Sequence, residues 1–272
     1  MADFRPAVRR CNKQTRGENG KQTNEGYEMG NENGTWIMRG VPESDPRCIR
    51  SPEELIAYID RVGFLPLFKN GIDGFSVEEH TAPGGWWSGD VRRDPWEWRA
   101  VIARSGKAAY GKFFDGKAGF VSLAWLPYFV NCRRDGYDFD ARWDDEKASL
   151  RQKKIMDIFL SDGAEEAELF SFDLKERAGY GKGGEKNFEG IVTGLQMQTY
   201  LCVRDFRQKT NKKGEPYGWS VAVYCTPEHI WGADTVCAAY AESPETSRGR
   251  IAALLTELYP AAEEKGRIEK VL

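Results

Sequence analysis

Apolar positions change their spacing several times along the chain, and each change marks an element. In SPEELIAYIDRVG, Leu55, Ile56 and Ile59 share one face at helical spacing, with Ser51 as cap, Pro52 at the first helical position and Gly63 as the stop. GFLPLF follows without helical spacing, so Phe64, Leu65 and Leu67 are expected in a buried loop or short strand. A second helix is predicted from Asp94-Pro95-Trp96-Glu97, Asp94 capping and Glu97 reaching back, with Trp98, Val101 and Ile102 as its inward stripe. KAAYGKFF and KAGFVS flank Asp115-Gly116, a two-residue turn suited to a twisted hairpin. Ser122 is then read as the cap of a helix running through Trp125, Leu126 and Phe129 to Arg133 and Arg134.

RDGYDFDARWDDE breaks the periodicity with six acidic residues and reads as a linker. Beyond it, LRQKKIMDIFL is amphipathic through Leu150, Ile155, Ile158 and Phe159. SFDLKERAG is a short helix with Ser171 as its expected cap, and EKNFEGIVTGLQ turns Phe188, Ile191, Val192 and Leu195 inward. TYLCVRDF and YGWSVAVY then alternate as strands, joined by the polar, basic RQKTNKKGEP. Three helices followed by a hairpin is the order of a winged helix, whose third helix can enter a major groove while the hairpin lies along the backbone. ADTVCAAY and SRGRIAALLTELY add two further helical stretches. The predicted class is α+β, with tandem winged helix-turn-helix units and β-hairpins. Its expected parts are a disordered tail over 1–34, a winged-helix-like unit over 35–135, an acidic linker over 136–148, a winged helix over 149–232 and C-terminal helices over 233–272. The tail is assigned because its Asn, Gly, Glu, Gln, Lys and Arg offer nothing to bury against the entropy of ordering.

Composition narrows the functions. Lys and Arg number 39 against 42 Asp and Glu in 272 residues, a net charge of −3, so attraction to a polyanion must come from a local patch. Apolar runs such as Val221 to Tyr224 fall far short of the roughly 20 residues that span a bilayer, and Met1 to Arg10 lacks the build of a secretory signal. A cytoplasmic protein without membrane contact is expected. Six cysteines without a C-x-x-C pair argue for reduced, mostly buried thiols. His80 and His229 alone cannot build a His-rich metal site, and the acidic run lacks the D-x-D-x-D-G calcium loop, so neither metal nor cofactor is expected.

A patch does exist. Lys175, Lys182, Lys186, Arg204, Lys209, Lys212 and Lys213 give the second unit a local positive excess, the minimum that DNA binding would require. A basic face on a protein-binding scaffold of the same fold is the alternative. AGYGKGGEK resembles a phosphate-cradling loop, yet it has no G-K-S/T ending and no strand directly before it, which leaves contact with a DNA phosphate. Among the nine tryptophans, Trp98 and Trp125 lie on apolar stripes and read as core, whereas Trp86 and Trp87 follow Pro83-Gly84-Gly85 and read as a loop able to expose them.

From about Trp36 onward, the phrases GFLPLF, DPWEWR, GYDFDARWDD, GEKNFEGIVTGLQMQTYL and YGW resemble the bacterial AlkZ-related proteins. GLQMQ within the second unit also resembles winged-helix DNA glycosylases of the AlkZ/YcaQ type. The resemblance implies tandem winged helices and DNA as partner. It also implies a Gln-x-Gln or Gln-x-Asp pair that holds water against the sugar as a cationic base departs, a form matched here by Gln196 and Gln198. Two considerations oppose that match. Residues two apart on a helix face nearly opposite ways, and in the glycosylases the pair follows an early helix of the first unit, where this chain reads GFLPLF with no Gln or Asp. The readings left open are a DNA-binding relative of alkylation-repair glycosylases, an active glycosylase using Gln196 and Gln198, and a non-catalytic scaffold for a protein partner.

Overall fold

The computed structural model of the chain describes residues 31–32, 35–36, 38–160, 167–264 and 266–271. The expected tail, 1–34, lies outside them except for Asn31–Glu32 (β1), which pairs antiparallel with Thr35–Trp36 (β2).

Helix and small antiparallel sheets mix throughout. The first unit opens with α1 (Pro52–Val62), whose N-terminus is closed by Ser51 Oγ accepting the Glu54 N–H at 3.2 Å. Gly63 then takes φ +85, and a Cβ there would sit 2.8 Å from the Trp125 ring, so only glycine lets the chain turn into β3 (Phe64–Pro66). After α2 (Pro95–Ser105), the strands β4 (Ala108–Phe114) and β5 (Lys117–Ser122) form the hairpin, and the sheet order is β3-β5-β4. Asp115 and Gly116 both have positive φ, 49° and 71°, as the turn requires. Phe64 is the hub of the core: its ring meets Phe75, Phe114, Trp125 and Phe129 within 6.5 Å.

Three local expectations need correction. Ser122 closes β5 and caps nothing; α3 (Leu126–Arg134) starts four residues later, behind Trp125 and without a side-chain cap. Glu97 does not reach back, because Asp94 alone serves the loop and helix start, accepting the N–H groups of Trp87, Gly89 and Trp96. The acidic stretch holds a helix, α4 (Phe139–Asp144), capped by Asp138 and anchored by the buried Phe139 against Tyr200.

The second unit has the sheet order of the first and one α-helix more ahead of its hairpin. Its helix α5 (Leu150–Leu160) is followed by a short strand β6 (Leu169–Phe170), then α6 (Ser171–Arg177) and α7 (Phe188–Met197). The hairpin of β7 (Cys202–Thr210) and β8 (Pro216–Cys225) completes a sheet of order β6-β8-β7. Ser171 is the first residue of α6 and makes no cap; Phe170 stands before it. The C-terminal part comprises α8 (Pro227–Trp231), α9 (Ala233–Val236), α10 (Pro244–Leu258) and α11 (Pro260–Glu264), with α10 against α3. Asn131 of α3 fixes that contact by donating to Ala239 O, Glu242 O and Ser247 Oγ at 3.0–3.1 Å.

The units are joined reciprocally. Helix α2 packs on β7, α7 packs on β4, and β4 meets β7, so one apolar core runs through both. At one joint the Arg104 guanidinium reaches Asp205 at 2.9 Å while Arg204 donates to Ala103 O and Arg104 O. Arg99 lies between the Trp96 and Phe206 rings, 3.4 and 4.0 Å from their centroids. At the other joint Gln196 Oε1 accepts the Lys112 N–H at 3.0 Å, and Lys112 Nζ donates to Thr193 Oγ1.

Candidate nucleic-acid interface

Reciprocal packing decides which surfaces remain free. Helix α7, expected to read a groove, carries no Lys or Arg. Only Glu189 and Gly190 at its start are exposed, and its last turn lies under β4. The loop before it is folded on itself: Gly179 and Tyr180 donate to Glu176 O and Lys175 O, and Gly184 and Glu185 donate to Gly181 O and Gly179 O. Those four amides are engaged within the loop. Glu185 ties it to α5 through Lys154 Nζ at 2.8 Å and Arg151 Nε at 3.1 Å, and these bonds hold its carboxyl below the usual carboxylate range. Lys182 and Lys186 remain exposed on this loop, flanking the uncapped N-terminus of α7, while Lys175 stands exposed on α6.

The β7–β8 hairpin projects from the body. Residues 210–220 are all exposed, and Lys212 and Lys213 stand at its tip. Lys209 is half-buried, its ammonium 4.1 Å from the Phe172 ring centroid. Arg204 is different. Its guanidinium is held by Glu168 and by the end of α2, which makes it a strut between the units. Lys182, Lys186, Lys212 and Lys213 take part in no ion pair among the described residues.

Gln196 and Gln198 are not brought to one place. Gln196 is 1% exposed, its oxygen on Lys112 N–H and its amide nitrogen on Val192 O, beside a Tyr224 hydroxyl that burial pushes up to about 12. Gln198, one residue past α7, instead accepts from Gln152 Nε2 of α5 at 2.9 Å. GFLPLF, the other expected location for such a pair, forms β3 and its buried continuation through Leu67.

Of the tryptophans, Trp98 is buried, Trp125 half-buried and Trp86 buried with its Nε1 on Thr81 Oγ1, whereas Trp87 is 47% exposed. Sequence reasoning passed over Trp219, which is 88% exposed; the signal was the Pro216-Tyr217-Gly218-Trp219 start of β8, where glycine interrupts a strand. The histidines are ordinary: His80 meets Tyr58 OH and Gly74 O, and His229 is exposed. Among the described residues no three His, Cys, Asp or Glu cluster to hold a metal ion, and no helix is long and apolar enough to cross a membrane.

Fold and surface together define a mixed helix-and-sheet chain of two fused helix–hairpin units, one with a projecting basic hairpin. The chain belongs to the AlkZ-related family: the family model described as "AlkZ related" matches residues 49–272. No curated protein and no solved structure matches it.

Proposed function

We propose that the chain is a DNA-binding protein related to AlkZ-like DNA repair proteins, built from two winged helices, of which the second supplies the contact. The observation that carries this reading is the projecting β7–β8 hairpin with Lys212 and Lys213 at its tip, in the same unit as the loop that exposes Lys182 and Lys186. Both units support the winged-helix assignment, since each sheet places the last hairpin strand between the other two. Family membership supports the DNA-repair connection.

The reading favours backbone contact over base readout. A groove-reading helix needs exposed polar side chains along one face, and α7 has its last turn buried and no cation. Lysines at a helix start and on a wing meet phosphates instead. Gln196 and Gln198 receive no catalytic role in it, because their amides are engaged with β4 and with α5.

The test is binding of a duplex as a function of salt. Replacing Lys209, Lys212 and Lys213 with alanine is expected to weaken binding similarly for all sequences and to flatten the log–log salt dependence by about one unit per lost phosphate contact. Unchanged affinity and slope in the triple variant place the contact elsewhere. A parent that binds no DNA at low salt makes a protein partner for the same surface the better account.

A further inference from the structure

The basic wing also carries an aromatic side chain, Trp219, that stands almost fully exposed. In the β7–β8 ladder Arg207 pairs with Val221 and Lys209 with Tyr217, so Gly218, Trp219 and Ser220 stand opposite Gln208 alone. That is a bulge, and it is fixed at both sides: Gly218 takes φ +72, and Gln208 Nε2 donates to Gly218 O at 2.8 Å. Bulges re-aim side chains. Here the re-aimed residue is Trp219, 88% exposed, with the 52% exposed Tyr217 two residues before it. A single exposed apolar residue is ordinary. An indole turned outward by a pinned bulge, on a strand whose hairpin ends in Lys212 and Lys213, is a combination of π-face and positive charge on one projecting element.

We infer that Trp219 is a stacking platform for unpaired bases, so that the wing prefers single-stranded nucleic acid to intact duplex. This deepens the DNA-binding reading above and rests on it. In a duplex the faces of the bases are covered by their neighbours, and the lysines alone find partners there. In a single strand the faces are open, and an indole beside cationic groups matches both the base and its phosphate. The occupant is therefore a polyanion with free aromatic faces, for which the charge of the tip is complementary.

The experiment measures anisotropy of a fluorescein-labelled 20-nucleotide single strand and of its duplex with the whole chain, at low and moderate salt. Parent protein is expected to bind the single strand more tightly. Trp219→Ala is expected to lose about tenfold or more on the single strand and little on the duplex, and Trp219→Phe to recover most of the loss. Replacing Lys212 and Lys213 with alanine is expected to weaken both substrates. Equal binding of the single strand by parent and Trp219→Ala, with the lysine variant still weakened, overturns the stacking role and leaves DNA binding intact. A parent that binds neither form overturns both. A melting temperature matched across the variants keeps the comparison to the surface.

Discussion

The two helix–hairpin units share a strand order and differ in where their hairpins end. In the first, β4 and β5 turn at Asp115 and Gly116 and are buried along most of their length, with Tyr110, Phe113, Phe114 and Phe120 inside. In the second, the buried half of β7 and β8 ends near Phe206 and Val221, and the strands continue outward as an exposed ribbon. The same topology therefore serves as scaffold once and as an arm once. What separates the roles is the sequence past the point where the sheet leaves the core: a two-residue turn in one case, and a polar ribbon with Lys212, Lys213 and Trp219 in the other.

Core truncation should show the largest contrast. Phe64→Ala removes the ring shared by four aromatic neighbours and is expected to cost about 3–5 kcal/mol, read as a lower urea midpoint. A shift under about 1 kcal/mol would mean that the first unit is not the scaffold.

Next in size are the joints. Gln196→Ala strands the Lys112 N–H and should cost about 1–3 kcal/mol, whereas Gln198→Ala, whose partner Gln152 is only half-buried, should stay within about 0.5 kcal/mol. Equal effects in urea titrations would remove Gln196 from the joint. Asp205→Asn should also cost about 1–3 kcal/mol at pH 7, and its effect carries a pH signature. Burial by itself would raise the Asp205 pKa, but hydrogen bonds from Arg104, Arg207 and the Phe206 N–H outweigh it and hold the group below its ordinary value. A lowered folded pKa contributes stability that is fully present above the unfolded value, about 3.9, and is lost as pH falls through the folded one. Urea midpoints of parent and Asp205→Asn should therefore differ at pH 7 and draw together as pH falls below about 3.9; a constant gap would show that the carboxylate charge is not what holds α2 to β7.

The smallest effects belong to the arm. Trp219→Ala and the double replacement of Lys212 and Lys213 should change stability by no more than about 0.5 kcal/mol, because neither touches the core. A larger loss in thermal unfolding would mean that the ribbon docks on the body and is no free arm.

The sequence made local features readable and hid distant ones. Ser51-Pro52 and Asp94-Pro95 announce helices within four residues, and Asp115-Gly116 announces its turn, since each signal satisfies a need of the adjacent backbone. The same logic was available at Thr226-Pro227, which opens α8, and at Asp138, whose carboxylate caps α4 inside a stretch read as linker. Ser122 misled because a serine before an apolar run suits a strand end as well as a cap, and Ser171 stands one residue too late to cap, as the first residue of its helix. Gln196 could not be read at all: its partner lies 84 residues earlier, and no spacing rule relates an amide on α7 to an N–H on β4. The basic residues illustrate the same limit, as Arg204 and Lys212 are alike in sequence, and only the fold shows one as a strut and the other as exposed.

Reciprocal packing has a further consequence for synthesis. The faces of α2 and β4 that meet β7 are complete well before their partner exists, for Arg104 precedes Asp205 by 101 residues. At translation speeds of about 5–20 residues per second, Trp96, Arg99 and Tyr110 wait roughly 5–20 s for the strand that covers them. The contacts that join the two units form only after α7 and β7 have been made.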